Sequence, residues 1–181
     1  MQKKSIYKYA SEAGVPFGLY LTLMSACLLL SLKIPSLPIL IVPLAIGLPF
    51  ILWILLRRIC KEEPSYMKFA SVWLAGIYTV IFGCLICFFL SALYIVFIEP
   101  SFVIKYILAA IEAVESTPMA AEYETTTYLM REAIEAHILP SGLEFLTSMA
   151  WFTCFTGSIL SLFIALLMVK NTSKISRQAS F

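Results

Sequence analysis

The sequence has no aspartate, a single histidine, and no charge of either sign across four long stretches. With His137 as its one imidazole, the chain offers no nucleophile–base arrangement of the hydrolytic kind. His137 shares an expected helix with Glu132 and Glu135, but spacings of five and two do not converge on one face as three or four would. A solvated helix surface accounts for that trio. Gly-rich phosphate loops, dinucleotide fingerprints and metal-ligand spacings are also missing. No catalytic, cofactor-binding or metal site is therefore expected, and no cofactor.

Charge is scarce throughout. Charged residues make up 13% of the 181 and hydrophobic ones 61%, where a soluble domain carries about 25% and about 45–50%. Mean hydropathy is +0.92. A chain with half the usual charge cannot build a fully solvated surface, so its solvent must be largely lipid. The net charge of +2, with no basic cluster interleaved with aromatics, excludes nucleic acid as a partner. The expected partners are the lipid bilayer and either a second copy of the chain or another membrane protein.

Five cysteines are present, and four of them lie inside apolar runs, where a thiol packs as a small hydrophobe. None falls in a segment expected outside the cytoplasm, so no disulfide framework is indicated. Cys84-Leu-Ile-Cys87 has the C-x-x-C spacing, but it sits mid-span without the basic neighbours or further ligands that a redox or zinc site needs. Cys60, beside Arg57, Arg58 and Lys61, is at most a position for acylation. Asn171-Thr172-Ser173 fits a glycosylation sequon on the expected cytoplasmic side, which excludes that use.

Four apolar stretches approach or exceed the ~20 residues a spanning helix needs. They cover about 14–32, 39–56, 69–98 and 145–169. The basic start before the first resembles a signal peptide, but the run is longer than a ~7–15-residue h-region and lacks a small-residue cleavage site. It is expected to stay as the first span. Pro43, Gly47 and Pro49 predict a kinked or locally unwound second span. The third, at 1.5 Å per residue, would be about 45 Å long and must tilt or project. Glu12, Lys33, Glu99 and Glu144 fall at span ends, and the four cores hold no ionisable residue. A proton-coupled transporter or a pump usually carries one, so these classes are disfavoured.

Between the third and fourth spans, 99–144 reads as a helical hairpin. Val103, Tyr106, Ile107, Ala110, Ile111 and Val114 form an apolar stripe at helical spacing. Thr117-Pro118 supplies an N-cap and a first-turn proline for a second, weaker helix reaching about Leu139. Met119, Tyr123, Met130, Ile134 and Ile138 are expected on its apolar side, and Pro140-Ser141-Gly142 ends it.

Basic residues set the orientation. Lys3, Lys4, Lys8, Arg57, Arg58, Lys61, Lys68, Lys170, Lys174 and Arg177 are ten of the thirteen, and an even number of spans places them on one face. Eight of the eleven glutamates lie in the hairpin. Both termini are thus expected in the cytoplasm and the hairpin outside it.

Small residues recur every fourth position in three spans: Gly14, Gly18, Thr22 and Ala26; Ser71, Ala75, Thr79, Gly83, Cys87 and Ser91; and Thr153, Gly157, Ser161 and Ala165. This spacing lets helix backbones approach closely in lipid, where hydrophobicity does not drive helices together.

Four pieces of the chain carry a family resemblance: Tyr9 to Gly18, Tyr94-Ile-Val-Phe-Ile-Glu-Pro100, Leu139-Pro140-Ser-Gly142, and Ile159-Leu-Ser-Leu-Phe-Ile-Ala165 before Lys170. Together the chain resembles the bacterial inner-membrane proteins of domain of unknown function 4199. The resemblance implies a four-span topology and a bacterial inner membrane; it brings no activity and no functional residues. The expected fold is an all-α integral membrane four-helix bundle, one membrane domain over 1–181, with an extracytoplasmic helical hairpin between spans three and four. The expected function is a non-enzymatic structural or accessory protein acting through contacts. The alternative is a small transporter, channel or efflux component.

Overall fold

The computed structural model describes residues 6–34, 36–66, 68–117, 123–136 and 138–178, with side chains up to Lys170 except Ser65. Six α-helices appear among the described residues: α1 Ile6–Leu29, α2 Pro38–Glu62, α3 Phe69–Phe97, α4 Phe102–Glu115, α5 Glu124–Glu135 and α6 Gly142–Gln178. No strand occurs among them. Four helices are long and apolar enough to cross a membrane: α1, α2, α3 and α6 as far as Lys170.

Helix ends differ from the hydrophobic runs because hydrophobicity marks hydrocarbon, not hydrogen bonding. α1 begins at Ile6 rather than near 14, since Lys8, Ser11 and Glu12 favour lipid poorly but tolerate helix. α2 likewise runs past Leu56 through the basic Arg57, Arg58 and Lys61 to Glu62. Pro38 occupies its first turn, where the missing N–H costs nothing. The expected unwinding of α2 does not occur. It is continuous α-helix through Pro43, Gly47 and Pro49. Each proline removes one N–H partner, and the flanking turns hold the helix. At the end of α3, Ile98 and Glu99 both donate to the Tyr94 carbonyl, and Pro100 prevents continuation.

The contacts fix an up–down order. Gly14 lies against Phe82 and Gly18 against Gly83, so α1 and α3 run parallel. Gly76 meets Ser161, Gly157 meets Val80, and Gly142 meets Ile95, so α6 returns antiparallel. α3 is the hub, packed on α1 and α6, while α2 leans mainly on α1. Only the second half of α2 is buried, at Leu52, Leu56, Ile59 and Cys60; Ile39, Val42, Ile46 and Phe50 point outward. In lipid an outward apolar face needs no cover.

Two apolar clusters divide the bundle. The larger joins Phe17, Leu52, Leu56, Val72, Val80 and Ile164. The smaller sits at the far end, where Phe102 and Val103 of α4 pack on Leu29, Ile95 and Leu146. The hairpin's first helix is therefore seated on the bundle through its opening turn. Its apolar stripe is narrower than expected: Phe102, Val103 and Ile111 are buried, Ile107 and Val114 half-buried, and Tyr106 and Ala110 exposed.

The second hairpin helix starts at Glu124 and ends at Glu135, and the Thr117 hydroxyl donates back to Val114 at 2.6 Å. Pro118 and Met119 lie outside the described residues, as does His137. The apolar side expected for this helix is also displaced. Thr127 is its buried residue, Ile134 is half-buried, and Tyr123, Met130 and Ile138 are exposed. A 12-residue helix packed mainly on α4 buries what faces α4.

Candidate functional site

The chain's informative residues fall in three places: the seams of the bundle, its charged end, and the hairpin. Two seams meet at α3. Along α1–α3, a Cβ on Gly18 would lie 2.9 Å from the Gly83 carbonyl oxygen, and one on Gly83 would lie 2.6 Å from Phe17. A Cβ on Gly14 would lie 2.5 Å from that of Phe82. Along α3–α6, a Cβ on Gly157 would lie 2.6 Å from Val80, and one on Gly76 2.5 Å from Ser161. These backbones are as close as the absence of side chains permits.

The other small residues on these repeats take different roles. Ala75, Thr79, Ser91 and Ser161 are buried. Thr79 donates to Ala75, Thr22 to Gly18 and Ser161 to Ser158, each returning its hydroxyl to its own helix. Ser91 instead pairs with Ser25 at 2.8 Å across α1–α3, with the Cys87 thiol 3.9 Å away. Ala26 and Thr153 are half-buried at cavity edges rather than at a close approach. Sequence spacing did not single out Gly76, Ser25, or the fit of Tyr20 beside Gly47. Gly76 is one position off the four-residue repeat but seven from Gly83, and that second periodicity was its signal.

Tyr78, Thr79, Tyr94 and Thr153, the polar residues from which a passage might be lined, have different surroundings. Tyr78 stacks edge-on with Tyr7, its hydroxyl 3.5 Å from that of Tyr7. Thr79 is closed off, Tyr94 faces a space beside Thr22, and Thr153 faces one between α2 and α6. Cys84 and Cys154 both line an apolar groove of about 520 Å³ between α3 and α6. No group of three His, Cys, Asp or Glu side chains that could hold a metal occurs among the described residues.

At the end of the bundle where α1 begins and α6 reaches Lys170 stand Lys8, Arg57, Arg58, Lys61, Lys68 and Lys170. Lys8, Arg57, Arg58, Lys61, Lys68 and Lys170 are all exposed. Lys3 and Lys4 lie outside the described residues, and so do the side chains of Lys174, Arg177 and the sequon Asn171-Thr172-Ser173. Arg58 donates to Glu62 at 3.1 Å. Tyr7, Tyr9, Tyr66 and Tyr78 form two edge-on pairs at this end, the amphipathic girdle expected at a membrane–water boundary.

At the opposite end Lys105 binds Glu99 at 2.6 Å. The Lys105 ammonium holds the Glu99 carboxyl below its usual value; slight desolvation works the other way, and the charge of Lys33 adds to the lowering. Arg131 of α5 grips both oxygens of Glu115 of α4 at 3.0 Å, which fixes the hairpin's two arms. Ser141 and Glu144 form a reciprocal cap on α6: the Ser141 N–H donates to Glu144 at 2.7 Å and the Glu144 N–H to the Ser141 hydroxyl at 3.3 Å. Beside the Arg131 contact, Glu124, Tyr128 and Glu132 form an exposed stripe on α5, four residues apart.

The family described as "Protein of unknown function (DUF4199)" matches residues 13–170. The chain belongs to the DUF4199 family. No curated protein and no solved structure matches it. The DUF4199 match opens at Ala13, beside the first glycine of the α1–α3 seam, and closes at Lys170, where α6 ceases to be apolar. It thus takes in α1 from Ala13 onward, α2, α3, the hairpin and α6 as far as Lys170, with both seams.

Proposed function

We propose that this DUF4199 protein is a non-enzymatic accessory protein of a bacterial inner membrane, with both termini cytoplasmic, that engages a protein partner through its outer hairpin. The orientation rests on the six described bases at one end, set against an acidic far end. The observation that carries the interaction role is the exposed α5 stripe. The adjoining face of α5 is already committed to α4 by Thr127 and the Arg131–Glu115 clamp. Glu124 and Glu132 make no ion pair among the described residues, and Tyr128 between them is 66% exposed. Two carboxylates flanking an aromatic ring suit a partner with a basic face, which offers charge pairs and a cation over the ring.

A photo-crosslinking residue in place of Tyr128 tests this in the membrane. A discrete adduct, lost when Glu124 and Glu132 are both changed to Lys at unchanged abundance, is the expected result. Crosslinks to lipid alone would contradict it.

The second reading, a small carrier or channel, is favoured by a cavity of about 270 Å³ between α2 and α6. Thr153, Thr156 and Pro49 line it. Pro49 cannot satisfy the Ala45 carbonyl, so a polar group is available on that wall. Solute flux in sealed vesicles that disappears on Thr156→Val would favour this reading over the first.

A further inference from the structure

A small cavity of about 90 Å³ lies where α1, α3 and α6 meet, with room for roughly three water molecules. Four sulfur-bearing residues from all three helices line it: Met24 of α1, Cys84 and Cys87 of α3, and Met149 of α6. The two cysteines stand three positions apart near the middle of α3, so they share a helix face at hydrocarbon depth. Cys84 is buried, Met24 and Cys87 are half-buried, and Met149 is exposed. No three thiols, imidazoles or carboxylates gather among the described residues, but the thioethers extend the set. They come from helices distant in sequence, which is why the C-x-x-C spacing alone shows no further ligand.

The donor set is selective. Calcium and magnesium take oxygen ligands, and zinc takes thiolate, imidazole or carboxylate rather than thioether. The hydroxyls on this wall are already engaged: Ser25 pairs with Ser91 at 2.8 Å, and Thr153 donates to the Met149 carbonyl at 2.8 Å. What is left is sulfur, and thiolate with thioether selects copper(I).

Charge points to the same ion. A cation at this depth has to be neutralised, and a monovalent one needs a single thiolate. Cys87 is placed to supply it. Its Sγ is 3.9 Å from the Ser91 hydroxyl, which can donate to sulfur while accepting from Ser25. A hydrogen bond to the charged form favours that form.

We propose that Met24, Cys84, Cys87 and Met149 bind one copper(I) ion between α1, α3 and α6. On binding, the Cys87 S–H bond breaks, a Cu–S bond forms and the proton leaves for water. Copper stays monovalent, so the site is neutral before and after. The Cys84 thiol and the two thioethers complete the coordination without adding charge.

The test is anaerobic titration of the purified full chain in detergent with copper(I), supplied from a chromogenic chelator that competes for it. One copper bound per chain, about one proton released with it and a raised melting temperature are expected. Met24→Leu with Met149→Leu conserves volume and keeps every thiol, and should weaken binding at least about tenfold. Cys87→Ser should weaken it at least about a hundredfold. Cys27→Ser with Cys60→Ser, away from the cavity, should leave it unchanged. Melting temperature without metal checks that each variant is folded, and where Cys87→Ser fails to fold the methionine pair decides. A wild-type chain that retains no copper against the chelator, or binding unaltered in the folded methionine variant, would overturn the proposal. So would equal loss in the Cys27 and Cys60 variant, or displacement of the copper by an equal concentration of zinc(II).

Discussion

The phenol of Tyr20 on α1 donates to the Leu44 carbonyl on α2 at 2.6 Å, and the room for it is the side chain that Gly47 lacks. A Cβ on Gly47 would collide with the phenol oxygen. This contact ties down the half of α2 that buries no residue, and it sits between the two prolines expected to disrupt that helix. Tyr20→Phe should cost about 0.5–1 kcal/mol, the range for one hydrogen bond between membrane helices. Gly47→Val should cost more, about 1–3 kcal/mol, through overpacking. Unfolding in mixed micelles measures both, and equal stability of the three proteins would show the contact to be idle.

Where α1 crosses α3, the decisive atoms are backbone. Gly18→Leu must push α1 away from the Gly83 carbonyl and should destabilise by about 2–3 kcal/mol or more. Ala26→Leu, at a half-buried cavity edge on the same repeat, should change stability by less than ~1 kcal/mol. A thermal-shift comparison in one detergent separates them.

The reciprocal cap on α6 should be worth about 1 kcal/mol, so Ser141→Ala with Glu144→Gln should lower the unfolding free energy by that amount. Hydrogen exchange at the first turn of α6 should rise in the same variant. Unchanged exchange there would remove the cap from the account.

Glu99 gives the far end its pH response. Its carboxyl is held below the ordinary value of 4.5 by Lys105, so the folded state binds that proton less readily than the unfolded state. The pair's contribution is therefore complete above the ordinary value and fades as pH falls through the lowered one. Unfolding followed between pH 6 and 3 should show this loss in the wild-type chain and a flatter profile in Glu99→Gln.

The long uncharged runs revealed the four spans because nothing but hydrocarbon accommodates them, and α4 was legible from its 3.6-residue period. The ends were not: Lys8, Arg57 and Arg58 are helical, yet hydropathy is blind to helix that leaves the lipid. Of the kinked or locally unwound span that the prolines of α2 suggest, the unwinding does not occur, and tertiary support such as Tyr20 helps hold the helix. The α5 side chains misled, since so short a helix orients by its neighbour and buries Thr127 in preference to Met130. Of the seam residues, Gly14, Gly18, Gly83 and Gly157 lie at the close approaches, and the four-residue spacing pointed to them. Ser25, Gly76 and Gly47 are defined only by what faces them.

Placement in the membrane is best tested by single cysteines in a cysteine-free chain, labelled in intact cells with a thiol reagent that cannot cross the bilayer. Glu124→Cys on the hairpin should label at once, and Lys8→Cys and Lys61→Cys only after the membrane is permeabilised. Immediate labelling of Lys8→Cys, or protection of Glu124→Cys, would contradict the account.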